Sequence, residues 1–169
     1  YPLTAAEIQR YLYRSTASQQ EIQAALSSAR LRDSYLVERG GYFCLPGKVE
    51  SISTRQRRAA AAHSTWPVAR HYGQLIGRLP FVRMVAVTGS LAVDNVEPGS
   101  DIDFLIVTVP QRLWLCRLIV IGMVKLAERR GHSLCPNYFI SENALVITDR
   151  NLFTARELAQ MVPVAGFDT

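Results

Sequence analysis

Asp101 and Asp103 are separated by one residue and run directly into Phe104-Leu105-Ile106-Val107. On a strand, alternate side chains share a face, so both carboxylates project the same way, their Cα atoms about 6.5–7 Å apart. Two like charges beside an apolar run repel each other and lose hydration, a cost that a divalent cation between them offsets. Oxygen donors at this spacing suit Mg²⁺ or Mn²⁺, not zinc. Upstream, Gly89-Ser90 stands where a strand gives way to a short helical stretch, "SLAVDN". Backbone N–H groups at such a turn can hold a phosphate; glycine lets the backbone come close, and the Ser90 hydroxyl adds a donor. Metal-bearing carboxylates beside a phosphate-holding turn are the parts needed for phosphoryl or nucleotidyl transfer.

The whole stretch, "TGSLAVDNVEPGSDIDFLIVT", resembles the nucleotidyltransferase motif of the DNA polymerase beta-like superfamily. Gly89, Ser90, Ala92, Ser100, Asp101, Ile102 and Asp103 occupy matching positions, with residues 91–100 as the gap. The chain is most similar to a bacterial nucleotidyltransferase-domain family in which a winged helix precedes the catalytic module. Arg112-Leu113-Trp114-Leu115, "CPNYFIS" and "FTARELAQM" resemble later blocks of that family. The resemblance implies a nucleoside triphosphate held at Gly89 and Ser90 and metal ions on Asp101 and Asp103. It also implies a third acid on a neighbouring strand, which helps to deprotonate the acceptor hydroxyl. Here the sequence departs, because "LCPNYFIS" contains no Asp or Glu. Asn137 is the occupant expected at that place; its amide oxygen can coordinate a metal but cannot take a proton. Glu142 falls in a predicted turn, and Arg83 or Arg112 is a candidate to neutralise phosphate charge.

Three readings follow. One is a metal-dependent enzyme moving a nucleoside monophosphate to a hydroxyl acceptor of unknown identity. The second is a catalytically degenerate module that binds nucleotide and regulates. The third is a nucleic-acid-binding regulator using the winged helix and a basic segment.

The elements that position these residues can be read from periodicity. Thr4 with Glu7, and Ser18 with Glu21, are capping-box pairs that start helices at about Ala5–Arg14 and after Ser18, the second burying Ile22, Ala25 and Leu26. "YLVERGGYFCLPG" reads as two short strands turning at Arg39-Gly40-Gly41. Helix, helix and hairpin resemble a winged helix over residues 1–49, with packing favoured over DNA binding. Residues 50–80 form a helical linker in two pieces, the second beginning near Pro67. Gly73 and Gly77 share a face there and permit close approach of a neighbour. Residues 81–169 form the catalytic domain: strand, short helix, strand, long helix, strand pair turning at Ser141-Glu142-Asn143, and a last helix capped by Thr154 with Glu157. The fold class is α/β (α+β), with a mixed sheet in the catalytic domain.

Composition constrains the rest. A chain of 169 residues, 49% hydrophobic and 20% charged, can bury a core. It begins at Tyr1 without a leader and reads as a trimmed piece of a longer protein. Residues 51–83 carry six arginines and no acid, whereas residues 1–50 balance six basic groups against five acidic ones. Such a field favours a polyanionic partner, although a solvated helical face is the simpler account. Cys44, Cys116 and Cys135 are scattered and odd in number, which fits a reducing, cytoplasmic setting. Arg112, Arg117 and Lys125 interrupt the most apolar segment, so it is expected to be a buried helix over a sheet, not a membrane span. Trp66 and Trp114 are expected to be packing anchors, and His63 and His71 are given no role.

Overall fold

The computed structural model describes residues 1–32, 35–148 and 150–166. The chain divides into two compact units, Tyr1–Arg57 and Arg58–Thr169. In the first, β1 (Leu3–Thr4) leads into helices α1 (Ala5–Arg10), α2 (Gln19–Ser27) and α3 (Ala29–Arg32). A hairpin of β2 (Val37–Arg39) and β3 (Tyr42–Cys44) follows, and the three strands pair antiparallel in the order β1-β3-β2. Both capping boxes form: Thr4 and Ser18 each accept from the amide of the glutamate three residues on, which bonds back. Gly40 and Gly41 have φ of 59° and 79°, the left-handed pair that a two-residue hairpin turn requires. Ile22 and Leu26 are buried with Ala5 and Phe43. Two expectations are corrected here. Ala25 is exposed, and α1 ends at Arg10 because the Tyr11 amide closes the last turn onto Gln9 and Glu7.

Helix α4 (Glu50–Gly77) runs unbroken through Pro67, not in the two pieces expected. Proline removes one helical N–H, but here it lies on an exposed stretch where water can serve the freed carbonyl. Nearby, the Ser64 and Thr65 hydroxyls both donate to the Ala61 carbonyl at 2.8 Å.

The second unit continues with β4 (Val82–Val87), α5 (Gly89–Ala92), β5 (Ile102–Thr108), α6 (Leu113–Glu128), β6 (Leu134–Ser141), α7 (Leu152–Gln160) and β7 (Val162–Ala165). Its mixed α/β architecture centres on a four-stranded sheet in the order β6-β5-β4-β7. β5 and β6 are parallel, as a helical crossover allows; β4 is antiparallel to both β5 and β7. One face of the sheet is the core, where Val85, Val87, Phe104 and Ile106 meet Ala69, Tyr72 and Ile76 of α4 and Val120 of α6. By alternation the other face carries Asp103 and Leu105.

Several expectations for this unit change. The strand expected after Asn143 does not form; residues 144–148 are irregular. Strand β7 was not anticipated, because Pro163 sits in its middle. It is tolerated at the sheet edge, where one side of the strand makes no ladder bonds. The close neighbour foreseen for Gly73 and Gly77 is this strand: a Cβ on either would lie 2.4 Å from Val164 or Ala165. Asn151, not Thr154, caps α7, accepting from the Thr154 amide at 2.8 Å. Helix α6 buries only Cys116, Val120 and Ala127, while Trp114 is 77% exposed and so is not a packing anchor. Trp66 does pack against the core, and its indole donates to Asp94 at 2.7 Å. Among the described residues, no helix is long and apolar enough to cross a membrane.

Candidate functional site

Asp101 is exposed just ahead of β5, and Asp103 is half-buried inside it. β5 is an inner strand of the sheet, and the two carboxylates stand at its beginning. Parallel pairing sets Asp103 opposite Cys135 and Leu105 opposite Tyr138, which leaves one extra β6 residue between the pairs. This bulge re-aims side chains, as bulges beside functional sites commonly do. It lets Asn137 reach Asp103 as well: the amide Nδ2 donates to Oδ1 at 2.6 Å, and its Oδ1 accepts from the Cys135 thiol at 3.0 Å. Ligand atoms of Asp101, Asp103 and Cys135 all lie within 4.8 Å of one another.

Electrostatics at this cluster are unfavourable for anions alone. Burial pushes the Asp103 carboxyl above its ordinary value, and the charges of Asp101 and Glu157 push it further; bonds from Asn137 and Cys135 only partly compensate. The Cys135 thiol is raised by burial, then by the two aspartates, so it stays protonated at neutral pH. A protonated thiol is no ligand for a hard cation. The effective donor set is therefore the two carboxylates, and their mutual repulsion is what Mg²⁺ or Mn²⁺ relieves. The residues present fit such an ion.

Gly89 closes the other side of the cluster. It holds φ at +64°, and a Cβ there would come within 2.2 Å of Asp103 Oδ2. The position thus disfavours a side chain, first by conformation and then because its Cβ would displace the Asp103 carboxylate. The main chain passes directly against the carboxylate, with the Ser90 hydroxyl one residue on.

Other sequence candidates lie elsewhere. Arg83 is bound to Glu142 at 2.9 Å, and Arg112 stacks over Phe81. Glu142 donates its amide to Thr108, at the far end of β5 from Asp103, so it is remote from the acid pair. The basic run is also partly engaged: Arg55 is buried and bonded to Glu7, and Arg58 pairs with Glu97.

Sequence reasoning missed three participants. Cys135 gave no motif, the buried Thr88 figured only as the residue leading into Gly89-Ser90, and Glu157 was read only as part of a cap. The signal for Cys135 was available: it stands two residues before Asn137 on a strand. Thr88, Glu157 and apolar side chains including Leu105, Tyr138, Phe153 and Leu158 line a cleft of about 80 Å³ between α7 and the sheet.

Residues 74–149 match the family model of the nucleotidyltransferase domain. That match supports a place for this segment in the nucleotidyltransferase superfamily and transfer of a nucleoside monophosphate as its general chemistry. No curated protein and no solved structure matches the chain.

Proposed function

We propose that the protein moves a nucleoside monophosphate from a nucleoside triphosphate to a hydroxyl acceptor, with Mg²⁺ or Mn²⁺ held by Asp101 and Asp103. The observation that carries this reading is the crowding of two carboxylates within 4.8 Å, one of them raised by burial, against a side-chain-free turn at Gly89. When bound, the cation neutralises phosphate charge and lowers the barrier to displacement at phosphorus. The turn at Gly89 and Ser90 offers backbone amides and a hydroxyl to the triphosphate tail. Asn137 fixes the Asp103 carboxylate in place, and its own amide oxygen is a further potential metal donor if the amide is turned over. On this reading the chain belongs with the polymerase beta-like enzymes, its catalytic part over residues 81–169.

The order β-α-α-α-β-β over the first unit supports a winged-helix-like reading of residues 1–49, ahead of a helical linker over 50–80. Its near-balanced charge favours a packing or protein-contact role over DNA binding.

A second reading has its own observation. The β6 position nearest Asp103 is the amide of Asn137, not an acid. A nucleotide-binding regulatory module would look the same there. The decisive experiment adds labelled nucleoside triphosphates, Mg²⁺ and an acceptor mixture to the protein and to Asp103→Asn. Incorporation that vanishes in the variant, with its fold intact by circular dichroism, supports the enzyme. Triphosphate binding by calorimetry without pyrophosphate release supports the regulatory module. Absence of any Mg²⁺-dependent triphosphate binding removes both.

A further inference from the structure

The cleft beside the acid pair differs in character from the turn at Gly89. Its walls are mostly apolar, with Leu105 and Tyr138 from the sheet and Phe153, Leu158 and Met161 from α7 and its end. At its mouth Phe153 is 70% exposed and Tyr138 48% exposed, so two aromatic rings are left in water. Its space of about 80 Å³ is several times what one water needs.

Thr88, Thr154 and Glu157 break the apolar lining, and the first and last of them are informative. Thr88 is 3% exposed, and its hydroxyl has no hydrogen-bond partner among the described residues. Buried hydroxyls are almost always satisfied, and an unsatisfied one beside a cleft calls for an explanation outside the protein. The Thr88 amide bonds to the Asp103 carbonyl at 3.0 Å, so the main chain at Thr88 adjoins the strand that carries the acid pair. Glu157 lines the same cleft and lies near enough to Asp103 for their charges to interact. A carboxylate there repels a phosphate tail but accepts readily from a neutral hydroxyl.

We propose that this cleft is the acceptor subsite, and that it takes a compact, largely apolar or aromatic compound carrying one hydroxyl, which is bonded by Glu157 and Thr88. The assignment rests on the nucleotidyltransferase reading above and specifies its unknown substrate. In the transfer, the acceptor oxygen forms a bond to the α-phosphorus of the triphosphate. The bond from that phosphorus to the bridging oxygen breaks, and pyrophosphate leaves with the electron pair. The hydroxyl proton passes to the Glu157 carboxylate, the acid that β6 does not supply. A polynucleotide end is disfavoured, because its flanking phosphates would face the Glu157 carboxylate in a mostly apolar cleft.

The test uses 4-methylphenol as the probe acceptor and a short oligonucleotide with a free 3′-hydroxyl as its competitor. Ligand-observed NMR on the full chain should show 4-methylphenol binding at millimolar concentration without nucleotide. Thr88→Val, which keeps shape and removes the unsatisfied hydroxyl, should melt no lower than the parent yet weaken the phenol about tenfold. Its affinity for a Mg²⁺-nucleoside triphosphate should be unchanged. Glu157→Gln should cut turnover at least about a hundredfold while both ligands still bind. The proposal is overturned if the phenol fails to bind, or if Thr88→Val leaves its affinity untouched. Equal use of the oligonucleotide also overturns it. Triphosphate binding measured alongside keeps these failures separate from failure of the nucleotidyltransferase reading.

Discussion

Asn137 hands a hydrogen bond to Asp103 at 2.6 Å across parallel strands. The contact tempers a carboxylate that burial and two neighbouring acids otherwise disfavour. Replacing the donor by an acid, Asn137→Asp, removes that relief and adds a fourth negative group. In EDTA the variant should melt below the parent. Millimolar Mg²⁺ or Mn²⁺ should restore it, with Mn²⁺ affinity by calorimetry raised about tenfold. Unchanged Mn²⁺ affinity would count against a single cation site on this face.

Gly89→Ala probes the close passage of the main chain. The substitution forces a left-handed alanine and sets its Cβ against the Asp103 carboxylate. A cost of about 1–2 kcal/mol is expected from conformation alone, lowering the melting temperature by about 2–8 °C. Divalent affinity should fall as well, because Asp103 has to move. An alanine variant with both properties intact would show that the turn adapts.

Glu7, in the first unit, gives a pH dependence of its own. Burial would raise its carboxyl, but bonds from Thr4 and from Arg55 at 2.5 Å outweigh that and hold it below its usual value. As pH falls, the unfolded chain therefore takes up the proton first. The stabilisation is complete above the ordinary glutamate value and is lost as acidity passes through the lower folded value. Glu7→Gln should melt below the parent at neutral pH, and the gap should close in acid. Thermal melts between about pH 2 and 7 measure it.

Trp114 is largely in water, whereas Trp66 is half-buried and hydrogen-bonded. Trp114→Gln should leave stability within about 0.5 kcal/mol of the parent. It should also remove most of the acrylamide-quenchable fluorescence and shift the remaining emission to the blue. A large loss of stability would mean that this ring is covered in solution.

Local chemistry was legible wherever a short pattern is sufficient to determine structure. Thr4 with Glu7, Ser18 with Glu21 and the Gly40-Gly41 turn each need only adjacent residues, and each forms. The acid pair and the glycine turn were equally visible, since both lie in one stretch of sequence. What escaped depends on distant partners. Thr154 and Glu157 have capping-box spacing, yet Asn151 wins because its side chain reaches the Thr154 amide. That leaves Glu157 turned toward the cleft instead of toward a helix end. Proline hid β7, and nothing local distinguishes an edge strand from a loop. Trp114 and its neighbours read as core from hydropathy, which cannot say how many faces of a helix are covered.

The parallel pairing of β5 with β6 also sets the order in which the site can be completed. Neighbours that run the same way cannot be joined by a tight turn, so α6 must be made and packed before Asn137 can meet Asp103. The wall bearing Glu157 comes later still. Assembly of the site accordingly depends on contacts distant along the chain, the kind that cost most to close. A polypeptide arrested ahead of Leu152 already holds both aspartates, but lacks the cleft wall that carries Glu157.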